Sequence, residues 1–173
     1  EKKDIFSDIE IDASNHIVLP GLINTHHHLF QTLTKAIIKA QNASLFDWLK
    51  ILYPIWSRIT SAELKSAVKI GLSELMTSGC TTTSDHLYIF PNGIKLEDEI
   101  EVAQTLGIRF HSTRGSMSIG ESNGGLPPDY LVEDENFIIK DSQDIINKWH
   151  DPNHGSMIRI ALAPCSPFSV SKE

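Results

Sequence analysis

The chain has 173 residues, 40% hydrophobic and 21% charged, a composition typical of a globular domain able to bury a sizeable core. It carries 22 acidic and 15 basic residues, and the formal charge of −7 disfavours nucleic acids and anionic membrane surfaces as partners. Its two cysteines form no CxxC motif, so a disulfide framework and a sulfur-ligated zinc site are disfavoured, and a reducing cytoplasmic location is expected.

The first part of the chain predicts short β structure. Residues 9–23 predict two short β segments separated by a turn at Ala13–Asn15. After Pro20-Gly21 a strand is predicted from Leu22 to about His28. No apolar run is long enough for a membrane span, and the first ten residues lack the apolar core of a secretory signal.

Helices and strands then alternate. A capping box, Thr60 with Glu63 three residues later, begins a predicted helix that ends at Gly79. Further strands are predicted at 81–86, 109–114 and 157–163, helices at 96–106 and 138–149, and a long loop at 115–135.

Helices between short strands imply parallel pairing, because parallel strands need crossover connections. Two α/β architectures fit, an open doubly wound sheet and a (β/α)8 TIM barrel. A complete barrel needs eight strands and about 250 residues. The four strands predicted after Pro20 therefore correspond to a partial barrel, about its first half.

The run Asn24-Thr25-His26-His27-His28 is the strongest chemical signal. In a strand, His26 and His28 point to one face and His27 to the other. Two imidazoles at the carboxyl end of a strand can bind a divalent ion, and this end holds the active sites of α/β barrels. The alternative interpretation is a group of surface histidines.

Segment 18–28, in which Pro-Gly and an apolar strand lead to H-x-H, resembles the opening metal motif of the amidohydrolase superfamily. Three further segments are similar to its deaminase and chlorohydrolase branch: LFDWL at 45–49, GCTTTSDH at 79–86 and APCSPF at 163–168. Within that branch, segments 114–118 and 120–129 most resemble the deaminases that act on 8-oxoguanine.

The resemblance implies a metal-dependent deaminase of a purine-like base, with conversion of 8-oxoguanine to urate and ammonia as the leading reaction. It implies that residues 1–20 are the end of a small β domain and residues 21–173 the amino-terminal half of the barrel. His26 and His28 would be ligands of one divalent metal, with zinc favoured and iron as the alternative. The remaining ligands and the general acid and base are expected beyond residue 173, so this chain alone is expected to be inactive.

The resemblance also implies residues that contact the substrate. Gln31, whose amide can donate and accept, is expected to read a purine edge, and the alternative is a solvated helix start. Trp56 is expected to stack on a planar ring, and the alternative is a core tryptophan. Arg114 is expected to bind ring acceptors, and the alternative is a salt bridge.

Cys165 stands where many deaminases of the branch have histidine, and it is expected to leave room for a different ring edge. The alternative is a buried packing cysteine. His86, with Asp85, is expected to line the pocket at the end of the second strand.

Two other functions stay open. Within the superfamily, a triazine aminohydrolase or chlorohydrolase, or an isocytosine or guanine deaminase, would use the same metal chemistry on another ring. The other is an inactive fragment whose open strand edges pair with another chain. A small heterocycle is the expected partner, and the family implies a homo-oligomer. The sequence has no cytidine-deaminase signature, no GxGxxG motif or P-loop, and no G-x-S-x-G motif.

Overall fold

The computed structural model describes residues 7–172. This part of the chain has four strands and four α-helices, with two helices between the first two strands and one helix between each later pair of consecutive strands. The strands are β1 (Leu22–Asn24), β2 (Cys80–Leu87), β3 (Arg109–Ser116) and β4 (Ile158–Pro164). The helices are α1 (Leu45–Trp56), α2 (Ser61–Thr77), α3 (Glu97–Leu106) and α4 (Glu135–Trp149). Short 3-10 helices lie in the connections, at Leu29–Thr34, Ile38–Ala40, Pro91–Gly93, Glu121–Asn123 and Asp129–Leu131.

The strands form one parallel sheet in the order β1-β2-β3-β4. A doubly wound sheet reverses its strand order at a switch point and has helices on both faces. Here the strand order never reverses. Each new strand is added at the same edge of the sheet, and right-handed crossovers then place all the helices on the same face of the sheet. Helices α2, α3 and α4 each contact the strand that follows them. The architecture is therefore that of the first four units of the predicted barrel.

The hydrophobic core lies between the sheet and the helices. Phe110 of β3 and Ile160 of β4 are buried in one cluster with Leu72 of α2 and Ile100 of α3. The opposite face of the sheet is more polar, and β2 presents half-buried side chains there, including His86. This face corresponds to the inside of a barrel. None of the helices within residues 7–172 combines the length and apolarity that crossing a bilayer requires.

The helix ends follow the predicted local chemistry. The carboxylate of Glu63 accepts the backbone N–H of Thr60 at 2.8 Å, which confirms the capping box at the start of α2. Gly79, two residues beyond the end of α2, has a φ of +89°. Gly107 ends α3 with a φ of +77°, in the left-handed region that favours glycine.

Three local predictions need correction. Strand β1 ends at Asn24 instead of near His28, because a 3-10 helix begins at Leu29. The turn at Ala13–Asn15 is present, with the His16 N–H donating to the Ala13 carbonyl at 3.0 Å. Its flanking segments in residues 7–20 are exposed and form no strands, since they have no pairing partner among the described residues. Helix α1 was not predicted. Residues 1–6 and 173 of the two expected domains lie outside the described residues.

Candidate metal and substrate site

The histidine cluster lies at the carboxyl end of β1. Nδ1 of His28 is 2.9 Å from the backbone carbonyl oxygen of His86. A carbonyl can only accept, so Nδ1 carries the proton and the Nε2 lone pair of His28 remains available. The rings of His26 and His28 are nearly perpendicular, and their centroids are 5.3 Å apart. At this separation two imidazoles can each place a nitrogen about 2.1 Å from one zinc ion.

Contacts with β2 hold this segment in place. Nδ1 of His27 is 3.9 Å from Oδ1 of the fully buried Asp85, which is beyond hydrogen-bonding distance. The same oxygen accepts the backbone N–H of Leu29 at 2.6 Å. The backbone N–H of His86 donates to the carbonyl of His27 at 3.0 Å. His27 therefore faces away from the other two histidines, as predicted, although the strand itself ends earlier.

A cavity of about 420 Å³, called here the histidine cavity, opens beside His26 and His28. Its other polar lining side chains are Gln31, Tyr53, His86, Tyr88, Cys165 and Ser166. Its apolar lining consists of Leu45, Trp48, Leu49 and Phe168. Among the described residues, no aspartate, glutamate, lysine or arginine lines this cavity. The wall is therefore suited to an uncharged planar molecule.

Three of the residues expected at the substrate lie together in the histidine cavity. Nε2 of Gln31 donates to the hydroxyl of Tyr88 at 3.1 Å. Nε2 of His86 donates to the carbonyl oxygen of Ala163 in β4 at 3.0 Å, so a neutral His86 keeps Nδ1 as an acceptor. Cys165 is half-buried, directly after β4. Side chains from the ends of β1, β2 and β4 thus converge on one cavity.

Trp56 lies elsewhere. It is fully buried in the core, where its indole N–H donates to the hydroxyl of Thr34 at 3.1 Å. Its ring packs edge-on against Phe30, Trp48 and Tyr53. Trp56 is therefore a core tryptophan, which was the alternative interpretation of this residue. Trp48 is the tryptophan that lines the histidine cavity.

Arg114 also lies away from the histidine cavity. It is 2% exposed and forms a two-pronged ion pair with Glu133, at 2.8 and 3.0 Å. Its Nε donates to Asp141 at 2.9 Å, and its guanidinium lies 3.9 Å from the centre of the Phe90 ring. Strand alternation explains this position, because the neighbouring Thr113 points toward the histidines and Arg114 points to the helix side. Asp85, in β2, also lies on the helix side.

Burial tunes the titratable groups around the histidine cavity. It lowers the pKa of His28 and of His86, which favours the neutral imidazole at neutral pH. It raises the pKa of Cys165 and of Tyr88, which favours the thiol and the phenol. These side chains therefore offer lone pairs and neutral hydrogen-bond donors to a ligand.

Seven of the twelve lining residues were not predicted as part of the site, among them Trp48, Tyr53 and Tyr88. Trp48 lies within the LFDWL segment, which the sequence analysis used only as a similarity. Tyr88 follows His86 by two residues, the spacing that places two strand side chains on one face, and this signal could have identified it. Tyr53 carries no such signal, because helix α1 was not predicted.

The donor set fits part of a metal site. His26 and His28 supply two imidazoles, and the hydrogen bond at Nδ1 of His28 is the kind of outer contact that orients a metal-binding histidine. Within residues 7–172 no group of three or more histidine, cysteine, aspartate or glutamate side chains is arranged to hold an ion. A zinc ion usually needs three or four ligands. The described residues could therefore supply two of them.

The sequence of this chain is similar to those of known enzymes. The sequence profile of the amidohydrolase family matches residues 17–173. The 8-oxoguanine deaminase of Pseudomonas aeruginosa is 51% identical over 166 residues, which are 95% of this chain and 37% of that protein. Hydroxydechloroatrazine ethylaminohydrolase of Pseudomonas sp. strain ADP is 33% identical over 159 residues, 89% of this chain and 33% of that enzyme. The chain thus spans about a third of the length of these curated relatives.

A solved structure supports the same relationship. The crystal structure of atrazine chlorohydrolase TrzN from Arthrobacter aurescens TC1, complexed with zinc, superimposes with a TM-score of 0.82 at 28% identity. The match covers 95% of this chain and 40% of that one. The sheet β1–β4 and its helices thus correspond to part of the fold of a zinc-containing hydrolase.

Proposed function

Because this chain belongs to the amidohydrolase family, we propose that the protein is a metal-dependent hydrolase of nitrogen heterocycles whose leading reaction is the deamination of 8-oxoguanine. The observation that carries this proposal is that His26, His28 and Gln31 line the same uncharged cavity. Two imidazoles can hold an ion beside an amide that can recognise a ring edge. The high identity to an 8-oxoguanine deaminase supports this choice of ring.

His26 and His28 would hold the divalent ion, for which zinc is favoured over iron. When bound, such an ion supplies the Lewis acidity that activates water for hydrolysis. His28 is kept in the required tautomer by the carbonyl of His86. Gln31 hydrogen-bonds the ring edge, and His86 presents its Nδ1 as an acceptor. Cys165 is smaller than the histidine that many deaminases of the branch have at this position, which leaves space for a different ring edge.

A triazine aminohydrolase or chlorohydrolase is the second candidate. It is favoured by the uncharged cavity wall, which suits a neutral triazine equally well, and by the similarity to TrzN. Both candidates require hydrolytic displacement of a ring substituent, and they differ in the ring that is accepted.

The proposal is tested with the protein expressed from its complete reading frame and loaded with zinc. Ammonia release is followed with 8-oxoguanine, guanine, isocytosine and a hydroxylated aminotriazine. Fastest turnover of 8-oxoguanine is expected, and fastest turnover of the triazine would favour the second candidate. No release from any of the four, with zinc bound, would refute the deaminase assignment.

A matched pair of histidine variants links the activity to the site. The variant His26→Ala should lose ammonia release. The variant His16→Ala should retain it, because His16 is exposed and its Nδ1 is paired locally, 2.9 Å from the carbonyl oxygen of Ser14. Equal loss in both variants would mean that histidine replacement disturbs folding and not the site.

A further inference from the structure

The hydroxyl of Tyr88 is a fixed point in the wall of the histidine cavity. Tyr88 is 4% exposed, directly after β2. Its ring stands edge-on against His28 and Phe30, with centroid separations of 5.4 and 5.2 Å. The ring of His86 lies on another side at 5.2 Å. Three ring neighbours leave the phenol little freedom, so its hydroxyl oxygen has a defined position.

The side-chain amide of Gln31 would not have a defined position without a partner. The last side-chain torsion of a glutamine is broad and roughly two-fold, so an isolated amide can present its oxygen or its nitrogen to the same partner. Here Nε2 donates one of its two hydrogens to the Tyr88 hydroxyl at 3.1 Å. That bond ties one end of the amide to the cavity wall and so fixes where its other polar atoms lie. The second N–H and the carbonyl oxygen remain for a ligand, since Gln31 lines the cavity.

We propose that Tyr88 is a positioning residue for the substrate, whose hydroxyl holds the Gln31 amide so that its free N–H and carbonyl oxygen meet a lactam edge of the ring. A lactam edge carries a ring N–H beside a carbonyl oxygen, so the amide oxygen accepts from the first while the amide N–H donates to the second. This inference rests on the proposed function, and it specifies the substrate class as heterocycles with a lactam edge.

The experiment uses the zinc-loaded protein from its complete reading frame and a double-mutant cycle on 8-oxoguanine. The variants are Tyr88→Phe, Gln31→Met and their combination. Tyr88→Phe keeps the ring that packs against His28 and removes only the hydroxyl, so zinc content should not change. We expect kcat/KM to fall by about two- to tenfold, mainly through KM, as loss of one orienting hydrogen bond predicts. In the Gln31→Met background, Tyr88→Phe should have no further effect, because there is no amide left to orient.

Methylated substrates give a second readout. The 1-methyl and 7-methyl derivatives of 8-oxoguanine each lack the ring N–H of one lactam edge. The wild-type protein should discriminate against one of them, and both single variants should weaken that discrimination. The matched control is Tyr130→Phe, since Tyr130 is 62% exposed and does not line the histidine cavity.

The outcomes separate this inference from the proposed function. If the wild-type protein deaminates 8-oxoguanine but Tyr88→Phe behaves like Tyr130→Phe, the positioning role is refuted and the function stands. If the effects of Tyr88→Phe and Gln31→Met multiply independently, Tyr88 acts on stability or zinc and not through Gln31. Should Tyr88→Phe fail to fold, an unchanged preference between the methylated substrates in Gln31→Met would still refute the inference. If the wild-type protein itself releases no ammonia, the proposed function fails.

Discussion

A buried pair of carboxyl groups should make the stability of this fold depend on pH. Asp85 of β2 and Glu99 of α3 are both fully buried, and the pKa of each depends on the other. Burial first, and the charge of Asp85 second, raise the pKa of Glu99 well above its ordinary value. Burial also raises the pKa of Asp85, to about 7, although the N–H of Leu29 that it accepts works in the opposite direction. Every cause acting on Glu99 raises its pKa, whereas backbone N–H groups oppose the rise at Asp85, so the pair holds its proton preferentially on Glu99.

The perturbation is Glu99→Gln. Glutamine has nearly the shape of protonated glutamic acid and can donate a hydrogen bond, but it does not titrate. In the wild-type protein, the folded state retains a proton that the unfolded state releases above its ordinary pKa of 4.5. The stabilisation by this proton is complete below that pH and is lost as the pH rises toward the folded pKa. The loss approaches the linkage limit of about 1.4 kcal/mol per pH unit for one proton, which is on the order of 2–3 kcal/mol between pH 5 and pH 7. The variant should not show it.

The assay is urea unfolding of both proteins at pH 5, 6, 7 and 8, with the difference in unfolding free energy plotted against pH. Titrations common to both proteins, such as those of His28 and His86, cancel in this difference. The matched control is Glu101→Gln on the same helix, because Glu101 is exposed and forms a surface ion pair with Lys65. A difference that stays constant from pH 5 to pH 8 would refute the shared proton.

Three further predictions concern other features. His28→Ala should weaken zinc binding beyond the about 10–100-fold that loss of an outer partner costs, and unchanged zinc stoichiometry by mass spectrometry would contradict its role as a ligand. Arg114→Met should lower the free energy of unfolding in urea by about 3–5 kcal/mol, because it leaves Glu133 without its cation. A loss of substrate affinity at unchanged stability would instead indicate that Arg114 binds the substrate. Gly107→Ala should cost about 1–2 kcal/mol, because φ is +77° and the space around the added methyl is open, and a neutral effect in thermal unfolding would count against this reading of the α3 terminus.

The sequence was most informative where local chemistry decides structure. The Thr60–Glu63 capping box and the glycine after α3 mark helix ends because side-chain or backbone requirements act within a few residues. Helix α1 was missed although Ser44 caps it by accepting the N–H of Asp47. Pro54 lies inside this helix and weakens its sequence pattern, while burial of Leu52, Tyr53 and Trp56 in the core supports its formation.

The candidate site was predictable in part for a similar reason. The H-x-H spacing identified His26 and His28, whose relation is local. The roles expected for Trp56 and Arg114 depend on which way a side chain points within a distant element, and a sequence similarity does not carry that direction. For Arg114 the alternation of β3 would have sufficed once its register with β2 was known, but register is set by tertiary pairing.

The two faces of the sheet divide stability from recognition. The helix side holds the charged groups in ion pairs or a shared proton, as with Arg114 and Glu99, where each charge needs a partner because water is excluded. The other side holds imidazoles, an amide and a thiol whose free lone pairs and hydrogens face the histidine cavity. Substitutions on the helix side should therefore change unfolding and its pH dependence at constant substrate preference. Substitutions at Gln31 or Tyr88 should change substrate preference at nearly constant stability, since each removes only a hydrogen bond at the cavity wall.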